Sequence, residues 1–322
     1  NDLDKDLVQA YSNTGVVHII AISGMHLGLI YLMLVWVFAK IPILNKKKIL
    51  QAVMILGCLW LFAILTGASP SVLRAAVMFS FISAGKLVFK KAPIYNSLAA
   101  SAFVLLCYNP YFLWAVGFQL SYLAVLGIVV FQKPIYNLFY IKNKWLDKLW
   151  ALISVSTAAQ LLTFPICIYY FHQFPNLFLL TNIIAVPLSS LILYAGVALV
   201  AFSWVPYVSG YIGMLVGNLT WVMNKTILWA NDLPYAVWDK LSASVLSTGL
   251  LYAIVLSCSA WLIQKNKKYL IASLVFLFGF AVQFSYNKWQ VNKQQKIIVY
   301  NLPGHSAIDF ISGEQYQFRG DS

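Results

Sequence analysis

The sequence predicts an all-α polytopic membrane protein of about ten transmembrane helices, some broken or re-entrant, followed by a short β-rich C-terminal segment. Three observations predict it. Of the 322 residues, 61% are hydrophobic and 10% charged, against roughly 25% charged in a soluble domain, so the chain lacks the polar side chains to face water all round. The apolar residues fall in runs near the ~20 that a helix needs to cross hydrocarbon. Aromatic residues, at 16%, suit the Trp and Tyr belts of membrane interfaces. Together these exclude a disordered chain, a coiled coil and a soluble dinucleotide-binding enzyme.

In order, the spans are Val16–Ala39, Ile49–Thr66, Ser71–Phe89, Ile94–Tyr108, Tyr111–Phe131, Trp150–Phe171, Asn176–Trp204, Tyr207–Ala230, Ala243–Ile263 and Tyr269–Ser285. The fourth is short and meets the fifth at Asn109-Pro110, as one hairpin or as two partly inserted helices. The seventh contains Pro187, which predicts a kink. Residues 1–15 read as an extracytoplasmic N-terminal segment and 16–286 as the membrane domain. From 287 to 322 an extracytoplasmic β-rich domain opens, incomplete here, with strands Lys296–Leu302, Ala307–Ile311 and Gln315–Phe318 around turns at Pro303-Gly304 and Gly313. The chain opens on Asn1 with no charged and apolar leader, so it reads as an internal piece of a longer protein.

Charge orients the spans. Lys plus Arg number 22 and Asp plus Glu 9, for a net +13. The lysines crowd alternate loops: Lys40, Lys46, Lys47 and Lys48; Lys86, Lys90 and Lys91; Lys133, Lys142, Lys144 and Lys148; Lys265, Lys267 and Lys268. The intervening loops carry only Lys240, against Asp232 and Asp239. The positive-inside rule puts the first set in the cytoplasm, and ten spans then leave both termini outside. Lys288, Lys293 and Lys296 oppose this unless they belong to the soluble segment. No acid lies within an apolar run, unlike ion-coupled carriers, which place a carboxylate at mid-membrane. Excess positive charge suits anionic lipid, a nucleic acid or both. The four cysteines all sit in apolar segments and read as small hydrophobes.

Polar groups are costly in hydrocarbon, so each one within a span is a clue. The first span holds His18, Ser23, Gly24 and His26; Ser-Gly there invites a break in the helix. Freed backbone groups at such a break need a protein-lined or wet cavity. The histidines then either flank a polar opening or bond neighbouring helices. In the second cluster, Gly67, Ser69 and Pro70 make a turn, with Ser69 or Ser71 as cap and Pro70 opening the next helix. Arg74 follows one turn in, and is the only Arg in any span. A helix N-terminus beside an Arg makes a phosphate site; the alternative is an Arg reaching for outer headgroups. In the third cluster, Gly117 and Ser121 let helices approach closely. Gln119 and Tyr122 share a face, lining a path or bonding another helix. The eighth span carries a stripe of Gly210, Gly213, Gly217, Thr220 and Asn224, which reads as packing before pore. The interior is therefore polar, cation-tinged and free of acids, which favours an anionic passenger.

Three stretches go further. NTGVVHIIAISGMHLGLI (13–30), LTGASPSVLRAAVM (65–78) and NPYFLWAVGFQLSYLAVLGI (109–128) resemble, in wording and order, the ComEC competence family of bacterial DNA-uptake channels. The resemblance spans about residues 5–290. It implies a multi-pass inner-membrane channel that passes one DNA strand into the cytoplasm during natural transformation, with a DNA receptor and a cytoplasmic motor as partners besides membrane lipids. His18, Ser23, Gly24, His26, Ser69, Ser71, Arg74, Gln119, Ser121 and Tyr122 are then the expected DNA-path residues, with no catalytic role, metal or cofactor. Family members often carry an acid just before GFQLS, where this chain has Trp114-Ala115-Val116. They also tend to have a DVGQGDA-like stretch where this chain has NLPGHSA (301–307). With no HxHxDH-type cluster in the chain, a nuclease site is not expected. The alternative reading is a transporter of a small anionic or lipid-linked substrate. An intramembrane enzyme built on His18, His26 and Arg74 would lack any carboxylate or ordered nucleophile–base set.

Overall fold

In a computed structural model, the described residues are 4–20, 22–88, 94–302, 305–313 and 315–320. Among them are thirteen α-helices and five short strands. The chain runs α1 (Lys5–Asn13), α2 (Val17–Ile20), α3 (Gly24–Lys40), α4 (Pro42–Lys46), α5 (Lys48–Leu65), α6 (Pro70–Val88) and α7 (Ile94–Tyr108). After a 3-10 turn (Pro110–Trp114) come α8 (Val116–Tyr136), α9 (Lys144–Phe171), β1 (Phe174–Pro175), α10 (Phe178–Ala201), α11 (Pro206–Asn231) and β2 (Val237–Trp238). It closes with α12 (Val245–Gln264), α13 (Lys267–Lys293), β3 (Gln295–Leu302), β4 (His305–Ser312) and β5 (Gln315–Gly320).

Each of the ten predicted spans contains α-helix among the described residues, the first in two pieces and the fifth after a 3-10 turn. Six of the described helices, α5, α8, α9, α10, α12 and α13, are long and apolar enough to cross a membrane, and α3 and α7 are shorter apolar helices. The shortening has local causes. The first span is cut between Ile20 and Gly24. The fourth stops where Asn109 breaks helical geometry, its side chain accepting from the Tyr111 N–H and leading into Pro110. Caps also fix other starts: Asn143 accepts from Trp145, Ser244 from Ser247 and Asn266 from Lys268. Helix α10 continues through Pro187. Lys90 and Lys91 lie outside the described residues.

The chain divides into two compact units, Asn1–Ser242 and Ala243–Ser322. In the first, α6 packs against α3, α5, α7 and α8, while α8 pairs with α9 and α10 with α11. One apolar core joins Leu27, Ile30 and Tyr31 of α3, Ile55, Leu59 and Ala63 of α5, and Val72, Ala75 and Ala76 of α6. A second joins Ala10, Tyr11, Val16 and Ile19 to Ala185, Met223 and Ile227. Helix α1 therefore docks on α11. Tyr11, 2% exposed, donates to Asn224 Oδ1 at 2.6 Å, and Asn13 donates to Asn231 at 2.9 Å. Asn224 thus serves the α1 dock, whereas nothing in the chain lies within 4 Å of a Cβ placed on Gly210 or Gly217. Among the described residues the packing expected of that glycine stripe is not made at Gly210 or Gly217, while Gly213 meets Leu199 of α10.

In the second unit, α12 and α13 form a hairpin, and β3, β4 and β5 form an antiparallel meander. Ile297 faces Phe310 and Val299 faces Ile308 in its ladder. The strands match the predicted ones with slightly longer ends, while the Pro303-Gly304 turn lies outside the described residues. Helix α13 runs on to Lys293, so Lys288 and Lys293 are helical and Lys296 stands in the sheet. Outside the spans, Tyr300 donates to Asp309 Oδ2 at 2.7 Å, and that bond raises the phenol's pKa.

Helix α8 crosses α9 closely at Gly127. A Cβ on Gly127 would collide with the Ala158 carbonyl oxygen, and only glycine leaves room. Gly127→Ala is expected to cost about 1–3 kcal/mol, whereas Gly57→Ala on α5, with open space around it, should cost nothing. Unfolding of both variants in the same detergent checks the contrast.

Candidate functional site

The break in the first span puts an extended residue, Ser23 (φ −118°, ψ 171°), at the N-cap of α3. His26 folds back over it. Its Nδ1 accepts from the Ser23 N–H at 3.2 Å and stands 3.0 Å from Ser23 Oγ. An accepting Nδ1 places the ring proton on Nε2 and keeps this imidazole neutral in that geometry. The histidine thus substitutes for the Glu or Gln of a capping box. His26 is buried, while His18 is exposed. The two imidazoles lie within electrostatic range of each other.

Gly24 brings the start of α3 onto α6, since a Cβ there would stand 3.2 Å from that of Ala75. His26 is two residues on, roughly 200° round the helix, so it leaves the α6 side. Met25 packs on the cluster built by α1, α10 and α11.

The turn before α6 follows the predicted chemistry. Gly67 adopts φ +80° and Ala68 φ +50°, and the Ala68 N–H closes on the Ala63 carbonyl at 2.8 Å. Pro70 opens α6. Ser69 offers its carbonyl to the Leu73 N–H at 3.0 Å. Its hydroxyl oxygen, however, is buried with no partner, so the predicted side-chain cap is not made. Ser71 lies in the first turn.

Arg74 is 8% exposed and points inward, not to outer headgroups. Its Nε and Nη2 both donate to Ser121 Oγ, at 3.3 and 2.9 Å. Ser121 passes its own proton to the Gly117 carbonyl at 2.7 Å. Gly117 lies beside the guanidinium: a Cβ there would stand 3.4 Å from Arg74 Nη2, an ordinary contact. The Gly117–Ser121 pair, read as a means of close helix approach, thus seats a guanidinium. Tyr122 stands in electrostatic range of Arg74, and its hydroxyl is 3.0 Å from Ser101 Oγ on α7. Phe118 packs against the Tyr122 ring in a tilted arrangement, 4.6 Å between centroids.

The three predicted clusters therefore converge on the first turns of α6, but not into one face. Arg74, Ser121 and Tyr122 gather between α6, α7 and α8. Gly24 touches α6 from α3, while His26 lies on a different side of α3. Gln119 is elsewhere, its amide donating to the Leu113 carbonyl at 2.8 Å. Sequence reasoning missed Ser101 and Asn182, both buried polar groups; Asn182 Oδ1 has no partner. The hydroxyl at Ser101, four residues after Ser97 on one helix face, was the available signal. Among the described residues no group of three or more His, Cys, Asp or Glu has metal-binding geometry.

Fold and site together define a polytopic helical membrane protein whose interior polar groups surround one arginine without a counter-charge. The chain belongs to the Competence protein family, whose model matches residues 1–268. It is 34% identical over 245 residues to ComE operon protein 3 of Bacillus subtilis (strain 168), covering 72% of this chain and 30% of that protein. It is also 28% identical over 135 residues to an uncharacterized protein of Aquifex aeolicus (strain VF5), covering 41% of this chain and 30% of that protein. The chain thus spans less than a third of these curated relatives. No solved structure matches it.

Ser121→Ala leaves Arg74 without its hydrogen-bonded partner, and a bond to a charged group is worth about 2 kcal/mol. A drop of that size in unfolding free energy in detergent, absent in Ser121→Thr, is the expected result.

Proposed function

We propose that this chain is the membrane part of a channel that passes single-stranded DNA across the bacterial inner membrane during natural transformation. Family membership supports a role in competence. The observation that carries the passenger's identity is Arg74, a buried guanidinium that spends its donors on one neutral hydroxyl and meets no carboxylate among the described residues. A permanent cation beside a helix N-terminus suits a phosphodiester, and the orphaned Ser69 hydroxyl one turn away supplies a further donor. Phe118 and Tyr122 add aromatic surface on which bases stack without regard to sequence. A conducted polymer needs weak and repeated contacts rather than one tight site. A single arginine ringed by hydroxyls fits that need.

On this reading the lysine-rich loops face the cytoplasm and both termini lie outside. A DNA receptor would deliver the strand and a cytoplasmic motor would draw it in, and no step requires catalysis by this chain. Ser23, His26 and His18, at the break in the first span, would lie apart from the Arg74 face and outside this route.

The test uses the full-length gene in a transformable strain lacking its own copy. Arg74→Ala should lower DNA internalisation by about tenfold or more, with membrane abundance unchanged. Arg74→Lys should recover only part, because a point charge lacks the planar fork. Wild-type uptake in a stable Arg74→Ala protein would remove Arg74 from the path.

A further inference from the structure

The lysine-rich end of the α3/α5/α6 bundle holds a cleft of about 390 Å³, which the uptake reading does not use. It is lined by Tyr31, Val35, Lys48, Gln51, Ala52, Ile55, Ser83, Lys86 and Leu87. Its walls are graded. Lys48 and Lys86 are exposed and form the mouth. Gln51, 8% exposed, and Ser83, 5% exposed, lie deeper. Ile55 and Tyr31 belong to the apolar core, and the Tyr31 hydroxyl reaches Lys86.

The polar groups are under-used. Ser83 Oγ is buried with no partner. Lys86 Nζ donates to the Tyr31 hydroxyl at 3.2 Å and stands 5.4 Å from the ring centroid. Lys48 Nζ is held by Asn45 at 2.8 Å. Among the described residues no acid lines the cleft. Two cations, an orphan hydroxyl and a buried amide, set above an apolar floor of Val35, Ala52, Ile55 and Leu87, are complementary to an anionic amphiphile. An uncompensated buried hydroxyl costs free energy that an occupant's oxygen would recover.

We infer that this cleft binds the phosphate headgroup and upper chain of an anionic phospholipid. The phosphate meets Lys48 and Lys86, the headgroup or glycerol oxygens meet Ser83 and Gln51, and the start of an acyl chain lies over Ile55 and Leu87. A basic pocket between helices at the lysine-rich end is a recognised setting for anionic lipid. The dry Leu27, Leu59, Ala63, Val72 and Ala76 layer closes the cleft off from Arg74. A blind, amphiphilic cleft suits a lipid, which stays, better than a strand, which must leave. The inference is independent of what the channel carries.

The test is native mass spectrometry of the full chain in detergent, titrated separately with phosphatidylglycerol, phosphatidylcholine, inorganic phosphate and a thymidine oligonucleotide. Phosphatidylglycerol should bind best. Lys48→Gln/Lys86→Gln should weaken it on the order of 30-fold. Ser83→Leu, which fills the floor, should weaken it while leaving both lysines, and Lys48→Arg/Lys86→Arg should retain it. Equal retention of phosphatidylcholine, or phosphatidylglycerol binding unchanged in the glutamine pair, overturns the proposal. So does competition by the oligonucleotide or by phosphate alone at equal concentration, because the site would then recognise phosphate without the lipid. DNA uptake in the glutamine pair is expected to stay near wild type, which separates this site from Arg74.

Discussion

A guanidinium does not give up its proton inside a protein, so burying one among apolar helices fixes much of what surrounds it. Arg74 has no carboxylate beside it among the described residues. Its charge is held by the dipole of one serine hydroxyl, relayed to the Gly117 carbonyl, and by whatever water or ligand reaches the remaining N–H groups. That arrangement explains the neighbours. Position 117 borders the guanidinium, and a Cβ there would make only an ordinary contact with it at 3.4 Å. Position 121 must be a small acceptor. Ala75 and Ala76, on the other flank of α6, must be small for α3 and α5 to close over the helix. Substituting an acid at Ser121 would neutralise the charge and turn an anion-seeking group into a static ion pair, which is stabilising only where its geometry is excellent.

The histidine break depends on a different support. Helix α2 has only four residues, too few to hold itself, and it is kept in place by what flanks it. Gly15, at φ +77°, turns the chain where any Cβ would meet Pro175 and Phe178 at 2.9 Å. Thr181 donates to the Thr14 carbonyl at 2.7 Å, and Gln173 to Ser12 at 3.0 Å. Beyond the dock on α11, the loop after α9 is pinned by the β1–β2 pairing and by Leu241 N–H on the His172 carbonyl. The break therefore sits on a braced platform, and its extended Ser23 is imposed by both sides rather than left to local preference.

Much of this was legible in the sequence because hydrocarbon imposes a simple grammar. The ten apolar runs, the Ser23-Gly24 break, the Gly67 turn with Pro70 after it, and the three final strands each follow from local rules of length, φ and period. Legibility ended where partners are distant in sequence. Arg74 and Ser121 stand 47 positions apart, and Tyr11 and Asn224 stand 213 apart. Nothing local says that Gln119 turns back to Leu113 while Ser121, two residues on, faces the arginine. The α1 dock was unreadable for the same reason: a nine-residue segment that opens on two charges, Lys5 and Asp6, looks like a tail until α11 offers it a surface. The glycine stripe of α11 shows the converse limit. Its spacing announces close approach but does not say to what, and within this chain the approach at Gly210 and Gly217 is not made.

The two apolar cores constrain where a wet route can run. Val72, Ala75 and Ala76 commit one flank of α6 to a dry seam with α3 and α5. The histidine side is bounded by Tyr11, Val16, Ile19, Met223 and Ile227. The flank of α6 that bears Arg74 differs, because it meets hydroxyls from Ser101, Ser121 and Tyr122 and an exposed Gly117. A hydrated chain of phosphates needs polar partners along its length and cannot cross a sealed layer of Leu27, Leu59 and Ala63 without losing them. On the proposed reading the strand therefore passes between α6, α7 and α8. The α3/α5 seam then acts as the wall, and the lysine-lined cleft at its far end is left to an occupant that does not need to move.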